Sequence, residues 1–376
     1  MATLPTADVN LSLDGLVAVD WDFSGSSVSR ATHRLHPWPA RFVPQIPATA
    51  IDYLSDTGDL VIDPFCGCGT TALEARLAGR GFSASDSNPL AVLITRAKCF
   101  PPKAPTRARI ETWSLTLRPQ RSATGLLRDA PEIPNRDYWF SRPVTAQLVY
   151  LLNEIAELAV AQDFLRVVFS SIVTGVSRQE SETRYRRVER EVSPTEVVER
   201  FRRQLGKALL AAADVDDAPI VEAVVEQRDA RVAPSERRLG QLAVFSPPYP
   251  NSFDYHLYHR FRMFWLGFDP VAAKHSEIGA HLRYEPDESA WLQDMRETFI
   301  ALGVQLEAGG HVVCVVGDGV IRGQLVQSAA LLSALVPALG FDQLARFDRA
   351  VPPQRKSFKS SDGRLREETV LVFKRS

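Results

Sequence analysis

The chain has 376 residues, of which 45% are hydrophobic and 24% charged, an ordinary globular composition. That length suits one large domain with an insertion, or two domains. The formal net charge of −1 argues against a uniformly basic nucleic-acid binder, so any such contact must come from local clusters. Four cysteines (Cys66, Cys68, Cys99, Cys314) are too few for a disulfide scaffold and read as reduced and intracellular. The first residues, MATLPTADVNLSLDGL, carry no basic stretch followed by an apolar one, so no signal peptide is expected. No apolar run reaches the ~18 residues of a membrane span.

Residues 1 to about 30 read as a polar extension, poorly ordered at its start. His33–Pro47 is too proline-rich for a regular helix or a central strand, and a short helix is expected over Ala48–Leu54. Asp59–Phe65 then reads as a buried strand, Cys66–Thr70 as a tight glycine loop and Thr71–Ala78 as a helix. Gly81–Asp86 is a second strand and Pro89–Ala97 a helix with proline in its first turn. The alternation breaks after Cys99. Residues 101–142 are rich in proline and arginine, and helices are expected over 143–161, 164–176 and 193–213. The last opens on Ser193-Pro194-Thr195-Glu196, a capping box. Alternation resumes with strands at Ile220–Glu226 and Leu242–Phe245, a helix at 287–307, a strand at Gly310–Gly317, a helix at Leu325–Leu339 and two final strands, Phe341–Val351 and Glu367–Lys374. Seven strands interleaved with helices imply an α/β fold: a mostly parallel sheet closed by an antiparallel strand, with a largely helical insertion between the second and third strands. The expected division is an extension over 1–32, a first sheet portion over 33–100, the insertion over 101–217 and a second sheet portion over 218–376.

Two motifs carry chemistry. In Asp63-Pro64-Phe65-Cys66-Gly67-Cys68-Gly69-Thr70-Thr71, a strand runs through glycines into a helix. The backbone there can approach a ligand closely, and the helix N-terminus offers free N–H groups. Asp86 ends the next strand, where a carboxylate can take both hydroxyls of a ribose. Asp229, at the end of the third strand, is placed for an adenine amino group. Gly67-x-Gly69-x-x-Ala72 with Asp86 about 20 residues on also fits a dinucleotide fingerprint, and a plain strand–turn–helix connector is the bland alternative. Asp63-Pro64-Phe65, the long insertion and the second motif weigh against a nicotinamide enzyme. Cys66-x-Cys68 has no CxxC or CxxH partner, so no metal site is expected.

The second motif, Ser246-Pro247-Pro248-Tyr249, follows the fourth strand. Methylating a base amine means drawing its lone pair out of the ring. Acceptors aimed at its N–H bonds hold the nitrogen pyramidal and stabilise the positive charge that develops. The Ser246 hydroxyl and Pro247 carbonyl are such acceptors, Pro247 and Pro248 fix the backbone, and Tyr249 can stack on a base swung out of the helix. The alternative is a Pro-Pro turn leaving a strand.

Asp63–Thr71 and Ser246–Tyr249 resemble the two signature motifs of the amino-methyltransferases that act on DNA, and His36-Pro37-Trp38-Pro39-Ala40-Arg41-Phe42 is similar to the segment that closes over S-adenosyl-L-methionine (AdoMet) in that family. The resemblance covers roughly 33–98 and 220–375. It implies a Rossmann-like AdoMet-dependent methyltransferase sheet, with the donor held by Trp38, Ala40, Arg41, Asp63, Pro64, Phe65, Cys66, Gly67, Gly69, Thr70, Thr71, Asp86, Ser87, Asn88, Asp229, Ala230 and Ser246. Ser246, Pro247, Pro248 and Tyr249 would hold the target base. Serine before Pro-Pro-Tyr implies cytosine N4; adenine N6, an RNA amino-methyltransferase and an inactive nucleic-acid-binding subunit are the alternatives. Double-stranded DNA is the implied substrate, a restriction enzyme the implied partner, and a prokaryotic cytoplasm with the nucleoid the implied setting. No membrane partner is expected. The insertion departs from the usual place of target recognition in that family. Three basic groups are candidate DNA contacts: Arg178–Arg190 with Arg178, Arg184 and Tyr185; His256–Arg262, beside Tyr255 and His259; and the loop holding Lys356, Lys359 and Arg364. A solvated face or an ion-pair network is the alternative for each.

Overall fold

The computed structural model describes residues 13–41, 43–120, 122–182, 184–251, 253–280, 287–351 and 367–376. Seven strands form its main sheet: β1 Leu60–Asp63, β2 Gly81–Asp86, β3 Ala223–Gln227, β4 Gly240–Phe245, β5 Leu306–Gly317, β6 Phe341–Ala350 and β7 Glu367–Arg375. Their order across the sheet is β6-β7-β5-β4-β1-β2-β3. All neighbours run parallel except β7, which is antiparallel to both β5 and β6. The apolar runs Ala243–Phe245, Val312–Val316 and Val370–Phe373 are buried throughout, because helices cover both faces of the sheet.

The chain reverses its direction of travel across the sheet between β1 and β4. Helices leave these two strands on opposite sides, and a crevice opens at their carboxyl ends. The glycine loop follows β1 and the Ser-Pro-Pro-Tyr element follows β4, so strand order alone brings the two motifs together although about 180 residues separate them in sequence. Helices Gln45–Leu54 and Thr70–Leu77 pack on one face, and Ser289–Gly303 and Ser328–Leu335 on the other.

The insertion shares a third apolar cluster with helix Pro89–Cys99. Leu90, Leu93, Ile94 and Ala97 meet Phe140, Leu148, Val168, Phe169 and Phe201 of helices Arg142–Leu158, Gln162–Val176 and Pro194–Ala213 and of the segment before them. Ser193 caps the last helix by accepting from Glu196 N at 3.1 Å. Glu196 itself pairs with Arg200 at 2.7 Å, so only half of the expected capping box forms.

Several boundaries differ from expectation. The helix expected over Ala48–Leu54 begins at Gln45, with Pro47 in its first turn, where a missing N–H costs nothing. A helix over Ala104–Thr116 lies in the proline- and arginine-rich stretch where no helix was named; it buries only Ile110 and Ser114, too few to leave a periodic signature. The helix expected over 287–307 spans Ser289–Gly303, and β5 already begins at Leu306. Leu325 belongs to a small ribbon, Gly319–Ile321 with Gln324–Val326, and the helix starts after it at Ser328. The extension is also more built-in than its polarity implied. Trp21 is buried and stacks on Phe347 of β6 with ring centroids 5.5 Å apart.

Candidate active site

The loop after β1 turns through Gly67 (φ +49°) and Gly69 (φ +74°), a left-handed geometry that glycine adopts at little cost. A Cβ on Gly67 would meet the Trp38 indole nitrogen at 3.3 Å, and one on Gly69 would meet Thr95 Oγ1 at 2.8 Å. Gly67 thus lets the loop lie against Trp38, and Gly69 seats it on helix Pro89–Cys99. Asp86 fixes the loop: its carboxylate accepts from Gly67 N and Asn88 N, both at 2.9 Å. Burial pushes the Asp86 carboxyl up to about 6, against these two N–H donors. Burial likewise pushes Asp63 up to about 7; it accepts from Phe65 N at 3.0 Å, and its partner Thr71 donates to Val244 O at 3.1 Å.

A pocket opens at the crevice. Of the expected donor-binding residues, Trp38, Ala40, Arg41, Pro64, Phe65, Cys66, Gly67, Thr70, Asp86, Ser87, Asn88, Asp229, Ala230 and Ser246 line it, and Pro247, Pro248 and Tyr249 complete the wall. Asp63, Gly69 and Thr71 do not line it. They stand behind the wall and tie the loop to β4 and to the neighbouring helix. Asp229 holds Arg231 at 2.5 Å, and Arg231 reaches on to Asp294 at 2.6 Å.

Sequence reasoning missed Cys68 within the glycine loop and the far wall of Ala273, Ser276, Glu277 and Ile278. Glu277 accepts from the backbone of Tyr255 and from His256 Nδ1 at 2.6 Å, which fixes the segment following the Ser-Pro-Pro-Tyr element. Only an acidic residue at the end of a short helix marked it in the sequence. Four rings stack in series along this side. Trp38 lies 4.3 Å from His259 and 5.7 Å from Tyr255, and Phe253 lies 5.6 Å from Tyr255, all within 27° of parallel. Trp38 therefore spans from the glycine loop to the segment after the second motif.

The Ser-Pro-Pro-Tyr element is held firmly. Trp291 Nε1 donates to the Pro248 carbonyl at 3.0 Å, whereas among the described residues no hydrogen bond takes the Pro247 carbonyl. Ser246 Oγ donates to the Tyr249 hydroxyl at 3.5 Å, which donates to Glu368 Oε1 of β7 at 2.9 Å. The Tyr249 ring lies over Gly317, where an added Cβ would sit 2.6 Å from Cε2.

The candidate DNA contacts fare unevenly. Tyr255 reaches the pocket. His259 is buried under Trp38 and next to Arg262, so it cannot meet a nucleic acid; burial also holds its imidazole neutral. The basic run around it is engaged within the protein: Arg262 is fully buried, bonded to Ser170 O and Glu182, and the part-exposed Arg260 lies 3.5 Å over the Tyr185 ring. Tyr185, packed 4.6 Å from Trp139, is thereby part of the seam between insertion and sheet rather than a free reader. Arg178 is anchored on the Asp137 carbonyl at 3.1 Å. Arg184 remains 65% exposed beside Glu180, on a short ribbon, Gln179–Ser181 with Arg184–Arg187. Lys356, Lys359 and Arg364 lie outside the described residues, as does Phe42. Among the described residues no cluster of histidine, cysteine or carboxylate side chains could hold a metal, and no helix is long and apolar enough to cross a membrane.

The strand order, the glycine loop and the crevice define an α/β methyltransferase fold with its ligand pocket at the switch point. Residues 15–95 match the DNA methylase family of N6 and N4 type. The chain is 27% identical over 171 residues to the Type II methyltransferase M.MvaI of Kocuria varians, covering 43% of this chain and 37% of that protein. It is 31% identical over 85 residues to the Type II methyltransferase M.MjaII of Methanocaldococcus jannaschii, covering 21% of this chain and 16% of that one. The matched stretches thus span about a third or less of these relatives' own lengths. Among solved structures, TrmN from Thermus thermophilus aligns over 89% of this chain and 49% of its own at 12% identity, with a TM-score of 0.35. The fold assignment rests on the strand order rather than on that likeness. The sequence matches support membership of the DNA amino-methyltransferase family, whose methyl donor is AdoMet.

The pocket suits that donor. A sulfonium cation fits a cavity lined by Trp38 and Tyr255 beside the carboxylates of Asp86, Asp229 and Glu277. A pH dependence follows from Asp86. Its carboxyl ionises near 6 in the free protein, and a cationic ligand favours the ionised form, so affinity rises with pH through 6 and levels above it. Calorimetric titration with AdoMet between about pH 5 and 7 should show affinity lost on the acid side by up to about tenfold per pH unit. Asp86→Asn should bind more weakly and flatten that slope; an unchanged slope would assign the dependence to another group.

Proposed function

We propose that the protein transfers a methyl group from AdoMet to the exocyclic N4 amine of cytosine in DNA, acting on a base swung out of the duplex. One observation carries the reading: Ser246 and Pro247 line the same pocket as the glycine loop, where a base amine and the donor methyl can be held in line. AdoMet supplies an electrophilic methyl on sulfur. The protein's part is positioning and electrostatics. Trp38, the glycine loop and Asp86 orient the donor. Ser246 Oγ and the Pro247 carbonyl accept from the two amine N–H bonds, which draws the nitrogen toward a pyramidal, nucleophilic geometry. Tyr249, whose ring lies over Gly317, would stack on the base. Serine rather than an acidic residue before Pro-Pro-Tyr supports cytosine over adenine. The insertion over 101–217 is proposed as the target-recognition element, with Arg184 at its exposed ribbon placed for a phosphate. The names of the matched relatives, Type II methyltransferases, support a setting beside a restriction enzyme.

The test is to incubate the protein with labelled AdoMet and, separately, unmethylated genomic DNA and total RNA, then digest to nucleosides and identify the labelled one by mass. N4-methylcytosine from DNA is expected. N6-methyladenine would retain the site and overturn the reading of Ser246. Label only from RNA would overturn the substrate.

A further inference from the structure

Resting on that reading of the site, we propose that Glu368 is the terminal proton acceptor of the reaction, reached from the target amine through the hydroxyls of Ser246 and Tyr249. Ser246 Oγ donates to Tyr249 at 3.5 Å, and Tyr249 donates to Glu368 Oε1 at 2.9 Å, so serine, tyrosine and carboxylate form one connected chain. Glu368 stands opposite Gly317 in the β7–β5 register, and the missing side chain at Gly317 leaves room for the Tyr249 ring over that position. The second carboxylate oxygen of Glu368 is held by Arg349, which is 3% exposed and anchored by its Nε on the Trp21 carbonyl at 2.9 Å. The carboxylate is therefore fixed in place, one oxygen on Tyr249 and the other on the Arg349 guanidinium.

The chemistry needs such a sink. A base amine that gains a methyl group becomes a strong acid, and a serine hydroxyl alone is no base. In the proposed step the amine nitrogen forms its bond to the methyl carbon as the carbon–sulfur bond breaks, the bonding pair returning to sulfur as a neutral thioether. The amine proton passes to Ser246 Oγ, the Ser246 proton to the Tyr249 oxygen and the Tyr249 proton to Glu368. A sulfonium and a carboxylate are consumed; a thioether, a neutral methylamine and a carboxylic acid are formed. The acid returns its proton to water once product has left. Both hydroxyls accept one proton as they release one, so neither ionises. Burial and the neighbouring carboxylate push the Tyr249 phenol well above its ordinary range, which keeps it protonated and donating.

Glu368 acts through Tyr249, so the experiment must separate chemistry from architecture. Single-turnover methyl transfer would be measured for the wild type, Glu368→Gln, Tyr249→Phe and the double variant, in light and heavy water, beside AdoMet and DNA affinities. Glu368→Gln should slow transfer by about 100-fold with both affinities unchanged. Tyr249→Phe keeps the ring and the Glu368–Arg349 pair, and should fall by a similar factor. The double variant should be no slower than the worse single, because one relay is broken once. The solvent isotope effect of the wild type should shrink in all three. A Glu368→Gln rate within about twofold of wild type overturns the relay, as does a double variant that multiplies the two losses. A wild-type protein that labels no nucleobase overturns the proposed function and the relay with it; an active wild type with an equally active Glu368→Gln overturns the relay alone.

Discussion

Replacing Ser246 with alanine is expected to slow single-turnover methyl transfer by about 100- to 1000-fold while leaving AdoMet affinity within about threefold of wild type. The hydroxyl is one of two acceptors placed for the amine, and its contribution exists only once positive charge develops there. Removing a preorganised polar group of that kind costs on the order of 2.7–4 kcal/mol in the transition state. Alanine fits the same backbone: Pro247 and Pro248 fix the turn, and Trp291 still holds the Pro248 carbonyl at 3.0 Å. The element should thus keep its shape and lose its chemistry. Rapid-quench kinetics beside calorimetric AdoMet titration checks both halves. A variant with near-normal transfer would remove Ser246 from the reaction, and one with lost AdoMet binding would make it a donor ligand instead.

Gly67→Val is expected to do the reverse. It should weaken AdoMet binding by at least about 100-fold, near 2.7 kcal/mol, with a cooperative unfolding transition retained. At φ +49° an L residue is strained by about 1–2 kcal/mol, more for a branched one. Its Cβ would already press on the Trp38 indole at 3.3 Å, and the added methyls must displace either that ring or the ligand. Because Trp38 also stacks on His259 and Tyr255, the displacement spreads to the opposite wall. Titration calorimetry beside thermal unfolding checks it; a dissociation constant within about threefold of wild type would mean that the donor does not lie against Gly67.

Much of this architecture was readable before any coordinates. Strands such as Val312–Val316 and Val370–Phe373 are apolar without interruption because both sheet faces are covered, and such runs between turn residues stand out. The two motifs were readable because glycines and paired prolines restrict the backbone in ways few other positions need. Less visible were features whose stabilisation comes from partners far away. Helix Ala104–Thr116 presents almost no buried face. The ribbon through Arg184–Arg187 is set by ion pairs to Glu180 and Glu189 rather than by alternation. Basic runs mislead for the same reason. Arg260 and Arg262 look like a phosphate-binding cluster in sequence, yet an arginine's long stem and planar head let Arg262 serve as buried scaffolding and Arg260 lie on the Tyr185 ring. Glu368 meets Tyr249 across 119 residues and carries no local signature at all.

The place of β7 has a consequence for the order in which the molecule matures. It is the last of the seven strands in the chain, yet it sits inside the sheet between β5 and β6. During synthesis from the N-terminus, β5 and β6 leave the ribosome with no partner between them, and the edge of β5 stays open until Glu367–Arg375 arrives. That same segment brings Glu368 to Tyr249 and to Arg349, which grips the Trp21 carbonyl near the other end of the chain. A nascent chain can therefore have its glycine loop and Ser-Pro-Pro-Tyr turn in place while the hydroxyl of Tyr249 still lacks its carboxylate.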